Sequence, residues 1–367
     1  MYRTKQKVDY YSRFVNSIKS PYTRTMYDNS LKHYIKDMDV KSYDELIECL
    51  DGDPGKIKEL EDNLIEYIQY LQNEKQLSYG TVHTKLAGIF HFYTMNRINL
   101  NKVYVYKFLS GKKRVSKDTA YTRKQIQQIL SVSDTRQKVI ILLMASTGMR
   151  VGAIHSLKLS HLQSINVGSQ HLYKITVYDM EPEEYYTFTT FECAEAIDIY
   201  LEYRKRFNEK LTPEAPLIRN EFDKYFLEQA RKPKPISRHT ILRLVDERII
   251  QSGMKERIAK TGHKSLRHSV QRAHGFRKFI ITQMIKAKMD YESREYLVGH
   301  RHSRGLDENY DRTSVEDRLS EYLKAVNLLT ISEEHRLKEK VRQLTIDNET
   351  LSQLEMDIKS LKELVIK

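Results

Sequence analysis

From Leu60 to Gln72 the chain reads LEDNLIEYIQYLQ, and Leu64, Ile65, Ile68 and Leu71 recur at the spacing of one helix face. Ser78–Asn96, SYGTVHTKLAGIFHFYTMN, repeats the pattern, with Ser78 placed to cap it. Asp51-Gly-Asp-Pro-Gly55 marks a loop between helices. Nothing in this region alternates as a strand would, so residues 1–110 are expected to form a small helical domain. Residues 111–121 are basic and lack apolar periodicity. They read as a linker lying along a nucleic-acid backbone, or equally as a plain surface loop.

The helical pattern resumes at Thr122, through RKQIQQIL and then QKVIILLMASTGMRVGAIHSLKLSHL. One strand pair follows. HLYKITVYD (171–179) alternates, with Tyr173, Ile175 and Val177 on one face, and EEYYTFTTF (183–191) is rich in strand formers. Asp179-Met-Glu-Pro182 supplies the turn between them. Helices return in AEAIDIYLEYRKRF, RKFIITQMIKAK and SVEDRLSEYLKAVNLL, the last opening with a Ser314/Asp317 capping box. In the tail, Leu337, Val341, Leu344, Asn348 and Leu351 fall at 4,3,4,3 intervals. Leu354, Ile358, Leu361 and Val365 resume that rhythm after a three-residue skip, a stammer. Asn348 takes an a position, which restricts register and strand number. The tail reads as a coiled coil that makes an oligomer; its rival is one amphipathic helix packed on its own domain.

The 367 residues suffice for two or three domains, and 40% hydrophobic content suffices for buried cores. The longest apolar run, VIILLMA, is too short to cross a bilayer, and MYRTKQKVDYYSRF lacks the apolar core of a signal peptide. Cys49 and Cys193 stand far apart, which excludes a disulfide framework and a thiolate metal site. The expectation is a soluble, intracellular, cytoplasmic protein that does not engage a membrane. Charge adds a partner. The chain carries a net +13, and residues 231–280 hold 14 Lys/Arg against 3 Asp/Glu. Such a block suits a phosphate polyanion, although a solvated basic face has the same composition.

Four polar islands beside apolar runs carry the chemistry. In STGMRVGAIHSL, Arg150 follows Gly148; in AHGFRKF, His274 and Arg277 lie three residues apart and share a helix face. In LVGHRHSRGLDENYDR, His300 stands directly after Gly299, and Tyr310 precedes the next helix. Singly, each has an ordinary reading: an arginine paired with a carboxylate, a satisfied histidine, one of 25 tyrosines. Together they suit phosphodiester transfer. Two guanidiniums can clamp non-bridging oxygens, two imidazoles can move protons or donate, and a phenol can attack phosphorus. His263, His268, His274 and His302 match no zinc spacing, so neither metal nor cofactor is expected and the arginines supply the electrostatic stabilisation.

The order TGMR, HGFR, LVGH and then tyrosine resembles the tyrosine recombinase (phage integrase) family. ITVYDMEPEEYYTFTTFECAEAIDIYLEYRKRF and GLDENYDR look most like its archaeal integrases. The resemblance covers roughly residues 120–325, and the N-terminal helices are similar in kind to the family's core-binding domain. It implies a mainly α fold: a helical core-binding domain over 1–110, a basic linker over 111–121, and a mostly helical catalytic domain over 122–330. That catalytic domain would carry a small antiparallel β-hairpin or sheet, followed by a coiled-coil helix over 331–367. The expected activity is site-specific recombination or integration of double-stranded DNA, without ATP. Arg150 and Arg277 would clamp the phosphate, His274 would assist proton transfer, and His300 would donate to the phosphate. Tyr310 would form a 3′-phosphotyrosyl bond and expel a 5′-hydroxyl. A dimeric or tetrameric synapse is the implied assembly.

Two positions depart from the family pattern. The acidic residue usual three places after the first arginine is Ala153 here. The lysine usual in the hairpin turn, where it protonates the leaving hydroxyl, is absent from DMEPEE; Lys174 on the first strand is the nearest basic residue. A type IB topoisomerase shares the catalytic logic, and a catalytically silent DNA-binding clamp would share the basic surface.

Overall fold

A computed structural model describes residues 9–50, 52–111, 119–223, 226–254, 257–259, 266–268, 272–300 and 313–365. The chain forms two compact units that part between Gly111 and Thr119.

The first unit is helical. Its elements are α1 (Tyr10–Asn16), α2 (Pro21–Asp37), α3 (Glu45–Glu48), α4 (Pro54–Gln69), α5 (Tyr79–Met95) and α6 (Lys102–Tyr106), with a single π turn over Tyr70–Glu74. Sequence sets the helix starts. Ser20, Asp53 and Ser78 cap α2, α4 and α5 by accepting backbone N–H groups, and Pro21 and Pro54 occupy first-turn positions. The stripe Leu64, Ile65, Ile68 and Leu71 is buried with Leu86, Ile89, Phe90 and Phe92 of α5 in one core, as its spacing predicts.

The second unit is mainly helical with a small sheet. It opens with α7 (Arg123–Ser131), α8 (Thr135–Thr147) and α9 (Val151–Ile154). Thr122/Gln125 and Asp134/Gln137 form reciprocal capping boxes that fix the first two starts. Val139–Ala145 is buried on every side of α8, which makes that helix the axis of the core. Next come β1 (Leu162–Val167), β2 (Gln170–Val177) and β3 (Tyr185–Phe188), an antiparallel sheet in the order β1-β2-β3. The β2–β3 pair is the expected hairpin, in register Val177↔Tyr185 and Lys174↔Phe188. β1 was not expected: LQSINV pairs with β2 across Gly168 at φ +62°, but its own burial alternates too weakly to read as a strand.

The remaining elements are α10 (Phe191–Lys205), α11 (Leu227–Arg231), α12 (Arg238–Gln251), the two-stranded β4 (Arg257–Ala259) and β5 (Leu266–His268), α13 (Arg272–Lys286), α14 (Tyr291–Leu297), α15 (Val315–Leu329) and α16 (Glu333–Val365). Ser314 caps α15 by accepting from Asp317 N at 3.0 Å. The Asp317 carboxylate accepts the Ser314 hydroxyl rather than its backbone N–H, so the expected box closes through side chains. Buried Glu192 accepts Ile331 N and Ser332 N at 2.7 and 3.0 Å, while Arg123 donates to the Leu328 and Thr330 carbonyls. These bonds set where α16 begins. Cys49 is exposed and Cys193 buried, both as free thiols. Among the described residues no helix is long and apolar enough to cross a membrane, and no cluster of side chains suits a metal.

Candidate functional site: an arginine pair at two glycine turns

Helix α8 ends where Gly148 adopts φ +63°, a conformation that glycine alone enters without strain. The Thr147 hydroxyl accepts Met149 N at 3.2 Å, and the chain then runs extended into Arg150. Two other segments press on this turn. A Cβ at Gly148 would come within 2.7 Å of Ile280 Cγ2 on α13 and 3.3 Å of Val298 Cγ1 after α14. The T-G, H-x-x-R and L-V-G-H motifs, spread from Thr147 to His300, therefore meet at one glycine.

The second turn is built alike. Gly299 N bonds Tyr296 O at 2.8 Å and His300 N bonds Glu295 O at 3.0 Å, with Gly299 at φ +65°. That pair of bonds is a Schellman cap, which places His300 at a defined position past the helix. Glu295 holds the same histidine twice, because its carboxylate also meets His300 Nδ1 at 2.7 Å. With Nδ1 engaged, Nε2 is the nitrogen left for a substrate.

The arginines tie the two turns together. Arg277 Nη1 donates to Gly148 O at 2.6 Å, and Arg150 Nη1 donates to Gly299 O at 3.0 Å. Arg277 is only 5% exposed, and its Nη2 is buried without a hydrogen-bond partner among the described residues. Leaving such a donor unpaired costs about 1–3 kcal/mol. Burial and the nearby Arg150 charge pull the Arg277 pKa below the ordinary guanidinium value. Neither arginine forms an ion pair with a carboxylate among the described residues. Two like charges are thus gathered, one of them desolvated, with donors left for an anion.

Two residues unnoticed in the sequence complete the wall. The ring of Tyr185, at the start of β3, lies against Gly299, where a Cβ would come within 2.5 Å of it. Burial pushes its pKa up to about 12, opposed by Arg277 and Arg150, which marks all three groups as neighbours. Tyr178, at φ +58°, feels the same two arginines, and burial raises its pKa too. Both tyrosines were read only as strand formers.

The other expected residues are placed as follows. His274 is exposed on the first turn of α13, one helical turn before buried Arg277. Lys174 Nζ sits 5.0 Å over the Tyr186 ring and 3.4 Å from Gln163 Oε1. Strand alternation puts Tyr186 and Tyr185 on opposite faces of β3, so Lys174 lies on the face away from Gly299. Ala153 is buried in the core. Tyr310 and His302 lie outside the described residues. Tyr322, the nearest tyrosine beyond them, is fully buried, donates its hydroxyl to Ser146 O at 2.8 Å, and has its pKa raised well above normal by burial. It is a structural residue.

Among curated protein sequences none matches the chain. Solved structures of similar fold include a lambda integrase dimer bound to a COC′ core site, at 14% identity over 83% of this chain and 78% of that one, TM-score 0.49. Others are the XerH site-specific recombinase bound to palindromic difH substrate in a post-cleavage complex (15% identity, 71% of each chain, TM-score 0.48) and the XerA recombinase (18% identity, 86% of this chain and 97% of that one, TM-score 0.37). A profile of the phage integrase family matches residues 120–316, more than half of the sequence and all the motifs gathered above. The chain belongs to the phage integrase family: it is a tyrosine-type recombinase that breaks and rejoins DNA strands.

Proposed function

We propose that Arg150, Arg277, His274, His300 and Tyr310 form the catalytic site of this recombinase. The observation that carries this reading is the arginine pair, with one guanidinium buried, anchored to a carbonyl through Nη1 and left, among the described residues, without an acceptor at Nη2. The two guanidiniums hold the non-bridging oxygens of the scissile phosphate and offset its developing charge, the role a metal ion has in other phosphoryl-transfer enzymes. The Tyr310 phenol attacks phosphorus, with His274 assisting removal of its proton. His300, held through Nδ1 by Glu295, donates from Nε2 to the phosphate. The bond to the 5′-oxygen breaks, leaving a 3′-phosphotyrosyl link. A 5′-hydroxyl of the partner strand later reverses the step, so the bond energy is kept and no ATP is consumed. Lys174 is the candidate acid for the leaving oxygen, a role that requires its ammonium to leave the Tyr186 ring and reach round from the sheet face opposite Tyr185.

Double-stranded DNA is the substrate, and the basic block 231–280 supplies its phosphate contacts. Within the family we place the chain nearest the archaeal integrases, on GLDENYDR and the run from β2 into α10. Assembly into a synapse proceeds through α16. Leu337, Val341, Leu344, Leu351, Leu354 and Ile358, all heptad positions, are 51–63% exposed in the single chain, so the helix does not spend that stripe on its own unit.

A nicked suicide duplex incubated with the full-length protein in EDTA tests the site. Wild type and Tyr322→Phe yield a protease-sensitive covalent adduct on a denaturing gel, and Tyr310→Phe yields none. An adduct that survives Tyr310→Phe refutes the assignment.

A further inference from the structure

Tyr185 directly follows the hairpin turn that lacks a lysine. Its ring is fixed against Gly299, the residue whose carbonyl Arg150 holds and after which His300 stands. Its Oη is buried and has no hydrogen-bond partner among the described residues, and Arg277 Nη2 is in the same condition. Arg277 and Arg150 both act on its ionisation, Arg277 the more strongly. Folding rarely leaves a buried donor unpaired, and two at one site point to an acceptor that the described residues do not provide. In a strand-transfer enzyme that acceptor is an anionic oxygen.

We propose that Tyr185 Oη and Arg277 Nη2 together bind the non-bridging oxygens of the scissile phosphate, which makes Tyr185 a further catalytic residue. The inference rests on Arg277 being a phosphate ligand, as argued above. Tyr185 keeps its proton throughout and donates one hydrogen bond, which shortens as charge grows on the phosphoryl oxygens. A hydroxyl whose pKa stands at about 12 remains a donor at neutral pH. The geometry also gives position 299 a reason to be glycine: a side chain there would displace the phenol.

Tyr185→Phe in the full-length protein is the test, because it keeps the ring against Gly299 and removes only the hydroxyl. Since that hydroxyl has no partner among the described residues, the variant should melt at the wild-type temperature or above it. Single-turnover adduct formation on a nicked suicide duplex should slow by about a hundredfold to a thousandfold, the range for losing one donor to a developing oxyanion. The defect should persist on a duplex whose 5′-bridging atom is sulfur, a leaving group that needs no proton. Rescue by sulfur would overturn the inference and make Tyr185 the leaving-group acid. A markedly lower melting temperature would overturn it in favour of a structural hydroxyl, and an unchanged rate would overturn it outright. Arg277→Lys assayed in parallel separates the two claims. If that variant also reacts at the wild-type rate, the reading of the site falls with the inference; if Arg277→Lys fails while Tyr185→Phe does not, the inference alone falls.

Discussion

Arg277 combines two jobs in the proposed site: Nη1 braces the α8 turn at Gly148, and Nη2, unpartnered among the described residues, would bind substrate. Lysine can take neither the planar geometry nor both bonds at once. Arg277→Lys is therefore expected to lower the single-turnover rate by about a hundredfold to a thousandfold, or roughly 3–4 kcal/mol of transition-state stabilisation. DNA affinity measured by anisotropy should change far less, because most binding energy comes from other phosphates. Glu295 acts one step removed, through His300. Glu295→Ala should cut the adduct rate about tenfold by freeing the ring, and Glu295→Gln should recover part of it, because an amide oxygen still accepts from Nδ1. Equal rates in the two variants would remove Glu295 from a positioning role. That the segments of Arg150, Arg277 and His300 belong together was legible in the sequence, because each residue follows a glycine stop or sits three residues from another polar group at a helix end. Tyr185 and Tyr178 were not, since strand-forming tyrosines among 25 carry no local mark of what crosses them from β3 to α14.

At the level of elements, glycine turns decide how closely helices approach. Gly299→Ala puts a side chain into the left-handed region and into the Tyr185 ring, at a cost of about 2–4 kcal/mol. Chemical denaturation should register that loss, and adduct formation should fail even where the variant stays folded. A separate device braces the same unit. Glu209, fully buried, is paired with Arg204, and it accepts from Arg219 Nη1 at 2.6 Å. Arg204 also donates to the Pro216 and Leu217 carbonyls, both at 2.9 Å. Removing the one carboxylate strands two buried guanidiniums, so Glu209→Ala should cost about 3–5 kcal/mol. Its adduct rate, measured below the melting transition, should stay near wild type. Most elements could be read from pattern: the stripe of α4, the buried run of α8, the β2–β3 hairpin. β1 hid because LQSINV mixes polar and apolar residues, and β4 and β5 because three residues are too few to show a period.

For the whole molecule, the exposed heptad stripe on α16 and the catalytic unit make separable contributions. Truncation before Glu333 should leave a folded catalytic unit that still forms an adduct on a suicide half-site. The same truncation should lower the mass seen by sedimentation equilibrium from an oligomer to a monomer and abolish strand exchange between two duplexes. A truncated protein that still sediments as an oligomer would assign assembly to another surface. In the proposed reaction Tyr310, in the segment between α14 and α15, attacks the phosphate held by Arg150 and Arg277. Mass spectrometry of the trypsin-digested covalent adduct decides whether it does. The nucleotide remnant should be found on Gly305–Arg312, GLDENYDR, at its tyrosine. A remnant on any other tyrosine, or on a serine, would contradict it.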